Sequence, residues 1–164
     1  MLNTVQKLID YHYTTHRRVW DCAANLPDEQ FFQPLTFSVG SIHRQFVHTM
    51  GAENVWYTRL VGNPQTMFDP AEYPTREAVR TRWDQVEADW RAYVNGLQES
   101  DLLQEVRIRT SKGQEFTHPI LDVILHVCNH GTDHRAQIMA MLHTLGGSGL
   151  DQDYIFYLRE RAAE

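Results

Sequence analysis

The feature that most limits what this chain can become is the spacing of its apolar residues. Between residues 2 and 25, Leu2, Val5, Leu8, Ile9, His12, His16, Val19 and Ala23 fall on or near one face of a helix. A one-sided helix is stable only when its apolar stripe is packed against another element. The stretch "NLPDEQFFQP" breaks the pattern, and Pro27 and Pro34 frame a connection. Ser41 is placed to cap a second helix running to about residue 61, where "GNP" stops it. After a loop with two prolines, "FDPAEYPT", Thr75 can cap a third helix, with Val79, Trp83, Val86, Trp90 and Leu97 at three-to-four spacing. The period then changes. In "VRIRTSKGQEFTH", Val106 and Ile108 alternate with Arg107 and Arg109, and Lys112-Gly113 signals a turn, which predicts a short β-hairpin. Thr117 with Pro119 is read as the start of a fourth long helix, ended by "LGGSG" at 145 to 149, and "DQDYIFYLRE" can hold a last short one. Four long helices with short connections predict an all-α four-helix bundle with a short β-hairpin before the last long helix, as one domain over residues 1 to 164.

A chain of 164 residues can bury a core without disulfide or metal staples. Cys22 and Cys128 lie in unrelated helical patterns and are expected to be free thiols used for packing. No run approaches the roughly 18 apolar residues of a membrane span, and "MLNTVQKLID" lacks the charged and apolar regions of a signal peptide. The expectation is a cytoplasmic protein. With a formal net charge of −6 and no basic cluster denser than "THRRVW", nucleic acid is a poor partner.

Nine histidines are the unusual count. Three of them, His126, His130 and His134, follow one another at four-residue steps in "HVCNHGTDHRAQI". On the helical wheel His134 lies about 40° from the centre of the stripe formed by Ile120, Ile124, Val127, Gly131, Ile138, Leu142 and Leu145, His130 about 80° and His126 about 120°. His130 and His134 therefore face the interior or its rim, and His126 lies nearer the surface. Two imidazoles one turn apart can converge on an ion about 2.0–2.1 Å from each nitrogen. Three in a row cannot, because the outer two are about 12 Å apart along the axis, so a third ligand must come from another helix. A pair of histidines at this spacing also occurs simply as partly buried polar residues with hydrogen-bond partners. His12 and His16 form a rival pair on the first helix, and the Glu of the zinc-protease HExxH motif is absent.

"SIHRQFVHTMGAENVWYTRLVG" resembles the second helix of the DinB/YfiT-like family of metal-binding four-helix bundles. The match lies in Ser41, Ile42, His48, Glu53 and Trp56. "HVCNHGTDHRAQI" is similar to that family's most recognisable segment, with Ala136 where glycine is usual. The hairpin and the "LDQDYIFYL" tail also fit, so the resemblance covers nearly the whole chain. It implies a divalent metal held by His48, His130 and His134. Periodicity alone would have made His48 a surface residue. It lies off the stripe of Ile42, Phe46, Met50, Tyr57 and Leu60 and shares its side with Ala52 and Trp56.

Three neutral nitrogen ligands leave a divalent ion with open positions, as in catalytic rather than structural zinc sites. Such an ion can activate water, giving a hydrolase, or hold a thiol as thiolate, giving a transferase. The resemblance favours a metal-dependent thiol S-transferase acting with a low-molecular-weight thiol on a small electrophile. A non-enzymatic protein with a structural or sensing metal is the competing class. Zinc or nickel is the expected ion, with iron a third choice. Glu53, His126 and Asp133 are the catalytic candidates. Glu53 on the apolar stripe has a buried carboxylate paired with an Arg or His as its alternative, and Asp133 and Gln137 are placed to orient a ligand imidazole. Trp83 and Trp90 are expected in the core. The resemblance also implies a homodimer.

Overall fold

The computed structural model describes residues 1–110 and 112–163. Its long helices are α1 (Leu2–Ala24), α3 (Ile42–Leu60), α4 (Arg76–Gly96) and α5 (Ile120–Thr144), with short helices α2 (Asp28–Phe32) and α6 (Tyr154–Arg161). Strands β1 (Glu105–Arg109) and β2 (Glu115–Pro119) form an antiparallel hairpin between α4 and α5. The bundle with its hairpin is thus the fold that the spacing predicts.

The expected caps are in place. The Ser41 hydroxyl accepts the Arg44 N–H at 3.0 Å, and the Thr75 hydroxyl accepts the Ala78 N–H at 3.1 Å, each satisfying a donor that the first helical turn leaves unpaired. Gly62 and Gly146 follow α3 and α5 with φ of +76° and +77°, a backbone region that disfavours a side chain.

Two expectations are corrected. The segment after Pro27, read as a plain connection, winds into α2, where Phe31 is fully buried and stacks at 5.9 Å on Phe46 of α3. Thr117 does not start the fourth long helix. It is paired with Arg107 in the hairpin, and α5 begins at Ile120, whose N–H bonds Gln104 O at 3.0 Å. The strand ladder satisfies the backbone where a cap had been expected, and Pro119 closes the strand and leads into the helix.

In the bundle α1 packs against α4 and α5, and α3 packs against the same two. Trp83 and Trp90 of α4, Phe46 and Met50 of α3 and Ile124 and Ile138 of α5 lie in the core. The two tryptophans are core residues, as expected. Helix α6 folds back over α1, with the Tyr157 hydroxyl donating to Asp10 at 2.6 Å. Cys22 is half-buried and Cys128 buried, both free; burial pushes the Cys128 thiol up to about 12, which suits packing and not nucleophilic chemistry. No helix among the described residues is long and apolar enough to cross a membrane.

Candidate metal centre

Two groups of side chains have donor atoms close enough together to hold one ion, all within 4.8 Å of one another in each: His48, His130 and His134, and His12, His16 and Glu53. The first spans the α3–α5 interface. His130 and His134 are one turn apart, with their Nε2 atoms 2.9 Å from each other, and the His48 ring centre lies 4.7 Å from that of His134 and 5.7 Å from that of His130. The exposure follows the order expected from the wheel: His134 buried, His130 half-buried, His126 exposed. His48 is half-buried because α3 has a second contact side, toward α5, carrying His48 and Trp56. One helix wheel scores distance from a single stripe, so it could not show this.

Burial lowers the pKa of all three imidazoles, and His130 is pushed down to about 4, by burial first and then by the neighbouring His134, His48 and His126. They are therefore neutral at pH 7, the form that ligates metal. The Gln45 amide nitrogen contacts His134 Nδ1 and lies 3.1 Å from Gln137 Oε1, while Gln137 donates to Asp133 at 3.0 Å. A half-turn of the Gln45 amide would let its oxygen accept from Nδ1–H and leave the Nε2 lone pair for an ion, and it would exchange the bond donated to Gln137 Oε1 for an oxygen facing that oxygen, so Gln137 would have to turn as well. Gln45 is the His134 contact that sequence reasoning missed. Gln137 and Asp133 stand one and two bonds further out. Ser38, with a left-handed φ of 50°, brings its hydroxyl to within 3.0 Å of Gln45 Oε1 and also touches Gln137.

His126 does not join the three. Its ring is 5.8 Å from His130's and packs edge-on against Trp56 at 4.7 Å. Together with His118, Asp122 and Val123 these two line a cavity of about 240 Å³; His126 is its link to the candidate centre, one helical turn from His130, and none of the three clustered histidines lines it.

The second group is fully buried between α1 and α3. Glu53 Oε1 lies 2.9 Å from His12 Nε2 and 3.4 Å from His16 Nε2, and Glu53 Oε2 accepts from Trp83 Nε1–H at 2.9 Å. Arg135 Nη1 lies 3.2 Å from His12 Nδ1. A guanidinium can only donate, so Nδ1 accepts and the His12 proton sits on Nε2, facing Glu53. An ion here would need that Nε2 lone pair and would turn an N–H toward Arg135. It would also put a double positive charge beside a buried guanidinium. The spacing admits an ion; hydrogen bonding accounts for His12, whereas both His16 ring nitrogens are buried without a hydrogen-bond partner. Glu53 therefore takes the buried-pair alternative: it is 1 % exposed, with both oxygens engaged.

A helical bundle with an imidazole cluster between two of its long helices is the class that fold and geometry define. The DinB family description matches residues 1–163, and the chain belongs to that family. It is 24 % identical over 160 residues to Protein DinB of Bacillus subtilis, covering 93 % of this chain and 92 % of that protein. Among solved structures, a DinB family member from Shewanella denitrificans superposes with a TM-score of 0.59 at 17 % identity, covering 94 % of this chain and 88 % of its own. A DinB-like protein from Bacillus cereus gives 0.57 at 18 % identity, covering 85 % and 93 %. These likenesses support the fold.

Proposed function

We propose that the chain is a divalent-metal-dependent enzyme in which His48, His130 and His134 hold the ion and a low-molecular-weight thiol is transferred to a small electrophile. The observation that carries this reading is the convergence of three neutral imidazoles from two helices at a half-buried place. An ion held there, zinc or nickel before iron, supplies a Lewis-acidic position that lowers the pKa of a bound thiol. The protein's own contribution is to present three uncharged nitrogens and to hold the His134 tautomer through Gln45. His126 and His118 line the cavity where an incoming molecule would lose or gain its proton. In the transfer the thiol loses its proton to water or to one of these imidazoles, sulfur bonds the electrophilic carbon, and the leaving group departs with its electron pair. The resemblance to the family favours the thiol over metal-activated water, which would give a hydrolase from the same ligands, and over a purely structural or sensing ion.

Metal analysis of freshly purified protein, followed by thiol consumption with an alkyl halide or epoxide and several biological thiols, tests the reading. Metal-dependent loss of thiol, abolished in His130→Ala, is expected. Stoichiometric metal with no thiol transfer, but with ester or amide hydrolysis, would replace the transferase by the hydrolase.

A further inference from the structure

We infer that Arg135, His12 and Glu53 form a buried positioning chain that sets the affinity and geometry of the candidate ion site; the inference rests on the assignment of that site to His48, His130 and His134. Arg135 follows His134 on α5, and Glu53 lies five residues beyond His48 on α3. Both ligand-bearing helices thus carry one member, and His12 of α1 joins them. Arg135 Nη1 donates to His12 Nδ1 at 3.2 Å and His12 Nε2–H donates to Glu53 Oε1 at 2.9 Å. The ends are anchored in turn. Arg135 also reaches Thr132 at 2.8 Å and Gln152 at 3.0 Å, and Glu53 receives Trp83 Nε1–H at 2.9 Å, while its backbone oxygen receives Trp90 Nε1–H at 3.0 Å. Arg135, His12 and Glu53 are at most 1 % exposed, so water does not compete for these bonds.

Packing places the chain directly behind the ligands. The His12 ring lies against Gly131, the residue after His130, so closely that a Cβ there would come within 2.2 Å of His12 Cε1. The turn of α5 that carries both ligand histidines therefore rests on the His12 ring. An apolar core could supply the same stability without burying a guanidinium and a carboxylate. What the polar chain adds is a single allowed distance between α3 and α5, because each bond has a preferred length and direction. Metal–nitrogen bonds of about 2.0–2.1 Å tolerate little displacement of that distance. None of the three reaches the cavity beside Trp56, so these are positioning residues and not catalytic ones.

The test is titration of chelator-stripped protein with Co2+, whose visible absorption reports coordination geometry. Wild type, His12→Phe, His12→Gln, Glu53→Gln and Gly131→Ala are compared. His12→Phe, which keeps the bulk and removes both bonds, should weaken Co2+ binding on the order of 10–100-fold and alter the visible bands, while still reaching one equivalent at saturation. His12→Gln, able to accept from Arg135 and donate to Glu53, should recover much of the affinity and the wild-type bands. If His12→Phe does not fold, Glu53→Gln and Gly131→Ala carry the test, with the same change in bands expected. Variants that melt lower but bind Co2+ with wild-type affinity and spectrum would overturn the inference and leave the chain merely structural. His130→Ala separates the two ideas: if it binds Co2+ like wild type, the ion site itself is misassigned and the inference falls with it.

Discussion

At the residue scale the histidines make a pH prediction. His48, His130 and His134 have pKa values lowered by burial, His130 to about 4, and burial also lowers His12 and His16. The unfolded chain, with imidazoles near 6.5, binds more protons than the folded one between the two values. The stability contributed by keeping these rings neutral is therefore full above about 6.5 and is lost as pH falls through each ring's lowered value, which for His130 is about 4. Thermal melts of chelator-treated protein should show this fall, and His130→Gln should make it shallower. An equal slope in wild type and variant would place the titration elsewhere. The inward order of His134, His130 and His126 was legible in the sequence, because it depends only on helical phase. Arg135 beside His12 was not, because the partners are 123 positions apart and no local pattern reports on a contact across the bundle. Glu53 was legible as a buried carboxylate in need of a partner, but the partner's identity needed the fold.

At the scale of elements, the caps are the parts that local chemistry specifies. Ser41 and Thr75 were recognisable because each precedes an apolar-periodic run, and both accept the expected backbone N–H. Thr75→Ala should cost about 1 kcal/mol, read as a lower denaturation midpoint with an unchanged denaturant slope. No loss would mean that the Thr75 bond is replaced by water without penalty. Helix α2 escaped notice because its five residues hold little more than one turn, too few to show a period. Thr117 was misplaced for a different reason: a threonine before an apolar helix looks like a cap, and only pairing with β1 shows that its backbone belongs to the hairpin. The four long helices were legible since each has enough turns for its apolar residues to repeat.

At the scale of the molecule, the core formed by Trp83, Trp90, Phe46 and their neighbours is apolar and includes none of the candidate ligands. Chelator-treated protein should keep its helical circular dichroism, with a melting temperature lower by about 5–10 °C than at a free ion concentration near 100 times Kd. A random-coil spectrum would make the ion a structural staple. The homodimer implied by the family resemblance should scatter light as about twice 19.2 kDa, and a mass of 19.2 kDa at micromolar concentration would reject it. The proposed ligand assignment puts one divalent ion on His48, His130 and His134 and not on His12, His16 and Glu53. Zinc titration of stripped protein, followed by calorimetry, tests it most directly in wild type, His48→Ala and His16→Ala. One equivalent is predicted for wild type and for His16→Ala, and none for His48→Ala at micromolar zinc. Full binding by His48→Ala with loss in His16→Ala would contradict the claim and move the ion to the buried group on α1 and α3.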